Sequence, residues 1–506
     1  MFPEYQQLID EANARVYEVA QKTSLDYMPQ LSAQLDNAVW LKREDQQSVF
    51  SYKIRGAYNL LRSLDEQQRS RGVITASAGN HAQGVALAAA KLGLTATIVM
   101  PKTTPEIKVK AVRQHKGEVI LHGNNYDEAH EHALEVAKAG GMEYIPPYDH
   151  PLIIAGQATV AVELEQQLQQ GCDYIFVPIG GGGLASGIAL YMKDKHPQIK
   201  IIGVEPDEAA CMHAALDAGE RVTLERIGIF ADGASVKQAG EETFRICRAL
   251  LDEVVTVSVD EICAAVKDIF EDTRCIPEPA GALALAGLKQ FTAGHDIHGN
   301  TLVAILSGAN VNFDRLRHIA ELSALGEQRE ALICVGIPER PGSFQKLCHD
   351  LGPRQITEFN YRYSDRQQAR VFAGIQLHDG VAEKDQLIAG LQGKGYDVVD
   401  MSRNEVAKMH IRYMVGGHVG DITDEVLYRF EFPERSGALL QFLKLMGDRW
   451  NISLFHYRNH GAAYGRVLMG IQVPSAQRQE FQQFLDQLDI NYSEETDNPA
   501  YRTFLA

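Results

Sequence analysis

One lysine stands in a setting that could give it unusual chemistry. Lys53 lies in SVFSYKIRGA (48–57), between Tyr52 and Ile54 and just before a helical run. In an apolar pocket, desolvation would favour the neutral amine, which can attack an aldehyde. A surface lysine that extends its charge from an amphipathic helix would give the same pattern. This segment by itself leaves both interpretations open.

A second motif, TASAGNHAQG (75–84), combines small residues with Asn80 and His81. It follows a predicted strand and leads into a helix, so its backbone N–H groups and the helix dipole could bind a carboxylate. Ser77, Gly79 and Asn80 are also common helix-capping residues. A simple N-cap in a loop between strand and helix is therefore the alternative.

A third motif, VPIGGGGLASG (177–187), follows an apolar run. Its loop consists of four consecutive glycines: Gly180, Gly181, Gly182 and Gly183. Consecutive glycines let several backbone N–H groups converge on an anion, which predicts a phosphate site at a helix start. The motif also nearly matches the dinucleotide fingerprint, with Ser186 in the third glycine position and Glu205 about twenty residues further on.

Two further motifs are ambiguous by themselves. Ser307 in LSGAN (306–310) would lie at the carboxyl edge of a sheet, where ligands of open α/β folds bind, or it could cap a helix. EPAGA (278–282) is another helix start rich in small residues, and no role is assigned to it. Because HExxH, zinc-type Cys/His spacing and GxSxG are absent from the sequence, we expect no catalytic metal and no serine-hydrolase triad.

These motifs need a framework of strands and helices to position them. Up to about residue 320, short β-branched runs alternate with helical stretches, which predicts an α/β fold with parallel sheets and helices on both faces. The predicted strands are VITA (73–76), TATIVMP (95–101), GEVILHG (117–123), DYIFVP (173–178), KIIGVEP (200–206), VVTVS (254–258) and TLVAILSG (301–308).

From about residue 331 the pattern changes and an internal repeat appears. IPERPGSFQKL (337–347) recurs as FPERSGALLQF (432–442). Each copy predicts the order strand, turn, helix, strand, strand and helix, which suits a small ferredoxin-like α+β unit. Gly342 and Gly437 would provide the unusual backbone angles or close approach of the two turns. The segment 321–330 is the expected linker between the two halves.

The overall composition excludes some classes of protein. The formal net charge of −17 argues against nucleic-acid binding through phosphate contacts. The N-terminus lacks the pattern of a signal peptide, and no apolar run is long enough to span a bilayer. Seven scattered cysteines without a CxxC pair are typical of reduced thiols, so we expect a cytoplasmic protein.

Together and in this order, the motifs SYKIRGA, SAGNHAQG, GGGGLASG, EPAGA and SGAN resemble the pyridoxal-phosphate-dependent enzymes of the tryptophan-synthase-β-like fold, fold type II. The match is close to the serine/threonine dehydratases. The repeat resembles the paired ACT-like regulatory domains of their biosynthetic members. The resemblance implies a catalytic domain (1–322) and two ACT-like modules (331–402 and 425–506). Tyr52 departs from the more common Phe, and Ala280 from the more common Ser.

The resemblance also implies a role for each candidate residue. Lys53 forms a Schiff base with pyridoxal 5′-phosphate and then acts as the general base at the substrate α-carbon. The four glycines, with Leu184, bind the cofactor phosphate through backbone N–H groups. Asn80 contacts the ring hydroxyl, and Ser307 faces the pyridine nitrogen. The substrate carboxylate is bound by the loop that contains Ser77, Gly79, Asn80 and His81.

The implied reaction is the dehydration and deamination of L-threonine to 2-oxobutanoate and ammonia, the first committed step of isoleucine biosynthesis. Serine would be a second substrate and would yield pyruvate. The paired modules imply feedback by isoleucine, which valine would oppose. The resemblance further implies a homotetramer, with no nucleic-acid or membrane partner.

Three rival functions remain open at this point. The nearest is another pyridoxal-phosphate reaction on the same fold: serine racemisation, cysteine synthesis or threonine synthesis. A nicotinamide-linked oxidoreductase would explain the near-fingerprint at the glycines but not Lys53. An amino-acid sensor without catalysis would explain the repeat but not the motifs of the first 320 residues.

Overall fold

The computed structural model describes residues 2–168, 170–228, 230–362, 368–404, 407–408, 411–413, 422–433, 438–458, 464–488, 491–498 and 501. The chain divides into two units, Met1–Gly326 and Glu327–Ala506. The first contains the candidate catalytic motifs, and the second contains the repeat.

Strands of the first unit form two sheets. They are β1 (Leu25–Tyr27), β2 (Ala38–Arg43), β3 (Val73–Ala76), β4 (Ala96–Met100), β5 (Glu118–Leu121), β6 (Glu143–Tyr144), β7 (Tyr174–Pro178), β8 (Lys200–Pro206), β9 (Glu253–Val257) and β10 (Thr301–Leu306). The larger sheet has the order β1-β2-β10-β7-β8-β9, and the smaller one β5-β4-β3-β6. All pairings are parallel except that of β1 with β2.

Helices surround these sheets. They are α1 (Pro3–Arg15), α2 (Pro29–Leu35), α3 (Lys53–Ser63), α4 (Glu66–Arg71), α5 (Asn80–Leu92), α6 (Glu106–Gln114), α7 (Tyr126–Gly140), α8 (Pro151–Gln167), α9 (Gly183–Lys195), α10 (Cys211–Ala218), α11 (Glu241–Leu250), α12 (Val259–Thr273), α13 (Pro279–His295) and α14 (Asp314–Gly326). The central strands β7 and β8 are almost entirely buried because helices cover both faces, as their continuous apolar sequences predict. The predicted α/β class with parallel sheets is confirmed.

The second unit is built on one antiparallel sheet. Its strands are β11 (Glu330–Pro338), β12 (Ile356–Arg362), β13 (Gln368–Gln376), β14 (Asp397–Asp400), β15 (Glu425–Pro433), β16 (Asn451–Arg458), β17 (Tyr464–Gln472) and β18 (Asn491–Glu494). Its helices are α15 (Ser343–Leu351), α16 (Gly380–Gly393), α17 (Ala438–Met446) and α18 (Arg478–Asp486). The two copies join where β12 pairs with β16, so the sheet runs β14-β11-β13-β12-β16-β17-β15-β18.

Both copies follow the predicted order of strand, helix, strand, strand and helix, and each adds a further strand, β14 or β18. Gly342 has φ +85° at the start of α15, the left-handed backbone that its turn was expected to need. The matching Gly437 lies outside the described residues. One hydrophobic core spans the two copies and includes Phe359 and Phe455, whose rings meet edge to face at 5.3 Å.

The structure differs from the expected linker at 321–330. Helix α14 continues to Gly326, and β11 begins at Glu330, so only 327–329 lie between the two elements. The polar residues of this segment, which suggest a linker, belong to the outer face of an amphipathic helix. Its inner face is buried through Leu322 and Leu325. Among the residues that the structure describes, no helix has the length and apolar character needed to cross a bilayer.

Candidate active site

Lys53 is the first residue of α3, and the residue is half-buried. Its Nζ donates a hydrogen bond to the Pro147 carbonyl at 2.9 Å and lies 5.3 Å from the centre of the Tyr52 ring. Burial lowers the pKa of Lys53 to about 8, although the negative charge of Glu278 opposes that shift. A lowered pKa is what the first interpretation of the sequence requires of this amine, and the role of Lys53 itself stays a prediction.

A buried ionic cluster fixes the first turn of α3. The Arg55 guanidinium donates to Glu44 through Nε at 2.7 Å and to Glu163 on α8 through a terminal nitrogen, also at 2.7 Å. Lys42 on β2 pairs with Glu163 at 2.6 Å. All four side chains are 2% exposed or less, so two positive and two negative charges balance without water. The helix that carries Lys53 is thereby tied to β2 and α8.

The four glycines form a tight turn between β7 and α9. Gly182 has φ +95° and precedes the helix, whose first turn receives no side-chain cap. A Cβ at Gly181 would lie 2.3 Å from the Tyr148 ring, and one at Gly180 would lie 3.0 Å from the backbone of Ala234. The Thr243 hydroxyl donates to the Gly181 carbonyl at 2.6 Å. The loop therefore has no room for side chains, and its helix end keeps unsatisfied N–H groups.

Lys53 and the glycine loop are neighbours through a short segment after β6. Pro147 accepts the hydrogen bond from Lys53, and the next residue, Tyr148, packs against Gly181 and Gly183. Two motifs that are more than 120 positions apart in the sequence thus face the same short segment.

The SAGNH loop leads from β3 into α5 and meets the same region. Asn80 Nδ2 donates to Glu278 at 2.5 Å. His81 is buried, and its Nε2 lies 3.0 Å from the Ile145 carbonyl. Burial, with a smaller effect of the Lys53 charge, lowers the pKa of His81 to about 3, so the ring stays neutral. Because a carbonyl only accepts, Nε2 carries the proton there.

Ser77 and Gly79, the earlier residues of that loop, are held by hydrogen bonds of their backbone N–H groups. The Ser77 N–H donates to the Val99 carbonyl at 3.1 Å, and the Ser77 hydroxyl accepts from the Gly79 N–H at 3.3 Å. No atom lies within 4 Å of a Cβ built on Gly79. A hydrogen bond between its own residues therefore stabilises the loop, and the space beside Gly79 is open.

The end of β10 supports the segment that carries Lys53. The Tyr52 N–H donates to the Ser307 carbonyl at 3.2 Å, and Ser51 forms a bridge with Gly308. The Ser307 hydroxyl donates to the Ala280 carbonyl at 3.3 Å. Leu184, whose backbone was expected to help bind a phosphate, packs its side chain into the core of the larger sheet.

Sequence reasoning did not assign three groups that the structure brings to this site. Glu278 and Asn310 contact Asn80, and Tyr148 covers the glycine loop. Glu278 and Asn310 lie in the EPAGA and LSGAN motifs, which were noticed without a role for either side chain. The signal was present, but which side chains converge depends on the packing of distant segments.

Comparison with known families assigns both units. Residues 16–308 match the family model described as pyridoxal-phosphate dependent enzyme. Residues 321–411 and 416–505 each match the C-terminal regulatory domain of threonine dehydratase. The chain is 54% identical over 494 residues to the L-threonine dehydratase biosynthetic IlvA of Pasteurella multocida, covering 97% of this chain and 96% of the relative. The relative of the same name from Escherichia coli is 54% identical over 493 residues, with the same coverage.

The chain belongs to the biosynthetic threonine dehydratase family. It is therefore a pyridoxal-phosphate-dependent lyase with a C-terminal regulatory domain of two modules. The family identity confirms the fold type, the cofactor and the enzyme class that the motifs indicated.

Solved structures agree with membership of the threonine dehydratase family. The processed form of threonine deaminase isoform 2 from Solanum lycopersicum superposes with a TM-score of 0.62 at 46% identity, covering 63% of this chain and 93% of that one. Maize serine racemase superposes with a TM-score of 0.58 at 35% identity, covering 62% and 95%. The catalytic fold is thus shared by enzymes with different reactions, so the fold alone does not distinguish them.

The residues of this threonine dehydratase fit pyridoxal phosphate. An amine with a lowered pKa suits the aldehyde. The glycine turn brings its backbone close to Tyr148 and lies at an uncapped helix start, whose N–H groups suit a phosphate. The part of the chain that the structure describes contains no cluster of His, Cys, Asp or Glu placed to hold a metal ion.

Proposed function

We propose that this enzyme dehydrates and deaminates L-threonine to 2-oxobutanoate and ammonia, and L-serine to pyruvate by the same route. The observation that carries the proposal is the Lys53 amine, whose pKa is lowered to about 8. It donates a hydrogen bond to the carbonyl of Pro147, and the next residue, Tyr148, packs on the glycine turn. The printed names of its relatives, threonine dehydratase, support threonine as the main substrate.

Each part of the site contributes a distinct physical task. When bound, pyridoxal phosphate supplies an aldehyde for the lysine and a conjugated ring that accepts electrons from the substrate α-carbon. The backbone N–H groups of Gly180 to Gly183 and Leu184, at the start of α9, would hold the phosphate. Asn80 would contact the ring hydroxyl. The Ser307 hydroxyl, a neutral partner, would face the ring nitrogen and leave it largely unprotonated.

The chain also controls proton transfer and substrate orientation. Because burial favours its neutral form, Lys53 can accept the proton from the substrate α-carbon near neutral pH. The loop of Ser77, Gly79, Asn80 and His81 would bind the substrate carboxylate through backbone N–H groups. His81 stays neutral, so we infer that it orders this loop rather than supplying a positive charge.

Replacement of Lys53 tests this proposal directly. Lys53→Ala should abolish the visible absorbance that depends on the cofactor–lysine bond, together with release of 2-oxobutanoate. Lys110→Ala, at an exposed lysine on α6 that pairs with Glu106, is the matched control and should change neither. Retention of both signals in Lys53→Ala would refute the assignment. Product analysis with L-serine separates dehydration, which gives pyruvate, from racemisation, which gives D-serine and is the rival suggested by the shared fold.

For the second unit we propose feedback inhibition by isoleucine, with valine opposing it. The repeat supports this proposal because two copies of a regulatory module share one sheet and one core. A small pocket lies between them and is lined by Arg340 and Phe344 of the first copy and Met446 and Trp450 of the second. Its apolar side chains and the Arg340 guanidinium are the kinds of group that contact an aliphatic amino acid and its carboxylate.

Truncation tests the regulatory role. A chain that ends at Gly326, where the first unit ends, should keep catalysis and lose the response to isoleucine. Inhibition that persists after truncation would exclude the modules as the sensor. The homotetramer stays a prediction from the family resemblance, and light scattering at several concentrations tests it. The cytoplasmic location stays a prediction from the scattered cysteines.

A further inference from the structure

Glu278 occupies the N-cap position of α13 but does not cap that helix. Its backbone has the extended N-cap conformation, and Pro279 follows as the first helical residue. No side-chain hydrogen bond to the helix start is made, and the residue is 4% exposed. A carboxylate at this position normally accepts from the N–H groups of its own helix. This one is directed at another element.

The partner of Glu278 is Asn80, at the start of α5. Asn80 Nδ2 donates to Glu278 Oε1 at 2.5 Å. Asn80 Oδ1 accepts from Asn310 Nδ2 at 2.7 Å. The backbone N–H of Asn310 also interacts with the Glu278 carboxylate and lowers its pKa. Three residues from three distant segments thus form a closed ring of hydrogen bonds.

This ring permits only one orientation of the Asn80 amide. Asn310 Nδ2 also donates to the Val49 carbonyl at 2.8 Å, and a backbone carbonyl can only accept. The Asn310 nitrogen must therefore face both Val49 and Asn80, so the Asn80 oxygen must face Asn310. The Asn80 nitrogen then faces Glu278 and keeps one N–H free for another acceptor.

Close packing around the ring leaves little room for a different arrangement. A Cβ at Gly308 would lie 2.7 Å from Glu278 Oε1 and 3.3 Å from Asn80 Nδ2. A Cβ at Gly233 would meet Ala280 at 3.0 Å and Glu278 Oε1 at 3.4 Å. Two glycines thus allow the carboxylate and the amide to meet beside the segment that carries Lys53.

We propose that Glu278 is a positioning residue of the active site, which acts with Asn310 to hold the Asn80 amide so that its free N–H is directed at the hydroxyl of the cofactor ring. The proposal rests on the proposed function, in which Asn80 contacts that hydroxyl. A prearranged donor binds more tightly than one that must first be ordered, because the ordering has already taken place in the free protein.

Several charged groups face Glu278. Burial and the negative charge of Asp232 raise the pKa of Glu278 to about 7, whereas its hydrogen bond from Asn80 and the charge of Lys108 lower it. Lys108 and Asp232 pair with each other at 2.5 Å. Lys53 lies close enough for the Glu278 charge to raise the lysine pKa. Either protonation state retains an oxygen that can accept from Asn80.

The experiment is a double-mutant cycle that measures the dissociation constant of pyridoxal phosphate for the full-length apoenzyme. Glu278→Ala should raise that constant about tenfold, which corresponds to about 1.4 kcal/mol. Glu278→Gln, which keeps an acceptor oxygen, should stay within about threefold of the wild type. Asn310→Ala removes the hydrogen bond to the oxygen of the Asn80 amide, so it should also raise the dissociation constant.

The decisive comparison is the background without the Asn80 amide. In Asn80→Ala, the further change Glu278→Ala should alter the dissociation constant by less than about twofold, because the group through which it acts is gone. Equal effects in both backgrounds, or no effect in either, would overturn the proposal. Should Glu278→Ala fail to fold, the same cycle with Asn310→Ala gives the same decision.

Two controls separate this inference from the proposed function. Glu261→Gln removes a carboxylate that accepts from the backbone N–H and the hydroxyl of Ser258 at the start of α12, and it should leave the cofactor dissociation constant unchanged. Loss of visible absorbance in Lys53→Ala tests the proposed function by itself. If Lys53 behaves as proposed and the Glu278 cycle is additive, only the positioning role fails.

Discussion

Two glycines of the site offer a matched test of what each one does. Adding a methyl group at Gly181 would place its Cβ 2.3 to 2.4 Å from three atoms of the Tyr148 ring, whereas ordinary contacts begin at 3.4 Å. The ring or the loop must therefore move by about 1 Å, and overpacking of this kind costs about 1–3 kcal/mol. At Gly79 the same methyl group meets nothing within 4 Å.

We expect the two substitutions to have different signatures. The substitution Gly181→Ala should lower the free energy of unfolding and the free energy of cofactor binding by about 1–3 kcal/mol in total. If the loop rather than the ring moves, the dissociation constant of pyridoxal phosphate rises by about 5- to 150-fold. Gly79→Ala should change the free energy of unfolding by less than about 0.5 kcal/mol. It should raise KM for threonine without changing cofactor affinity, because the methyl group enters the proposed substrate space.

The assays are fluorescence titration of the apoenzyme with pyridoxal phosphate, chemical unfolding and steady-state kinetics. Gly294→Ala is the control, since this exposed position in α13 also has nothing within 4 Å and lies outside the site. It should leave all binding constants unchanged. Wild-type stability and cofactor affinity in Gly181→Ala would refute the packing argument for the glycine turn. An unchanged KM in Gly79→Ala would remove that residue from the substrate site.

Three further predictions follow from other parts of the structure. Arg55→Met leaves two buried carboxylates with a single lysine, so it should lower the free energy of unfolding of the catalytic unit by about 3–5 kcal/mol in urea denaturation, and Arg55→Lys should recover part of that loss. The neutral amine of Lys53 is the reactive form, so the rate at which the apoenzyme captures pyridoxal phosphate should rise with pH up to about 8 and then level off. The measured rate is corrected for the rate with a free alkylamine. A rise that continues to pH 10 would contradict the lowered pKa. In Trp40→Phe, Trp450 is the remaining tryptophan, so isoleucine should change its emission; inhibition without an emission change would place the effector elsewhere.

Much of the framework could be predicted from patterns along the chain. The runs VITA, DYIFVP and KIIGVEP became β3, β7 and β8 because buried parallel strands need continuous apolar sequence. Strands β1, β2 and β6 and the strands added to each regulatory module were not predicted. Most of these elements are short and partly exposed, so their sequences lack a strong period and depend on pairing with a neighbour. The end of α14 was missed for the related reason that its polar face resembles a linker.

By itself, the order of the motifs determined the family and the cofactor and predicted the reactive lysine, because these depend on residue types and on short local turns such as the glycine loop. Only the tertiary structure decided which distant groups meet. Glu278, Asn80 and Asn310 come from three segments up to 230 positions apart, and the direction of each amide depends on the acceptor carbonyl of Val49. Hydrogen-bond partners of this kind are selected by packing in space, and no local pattern in the chain specifies them.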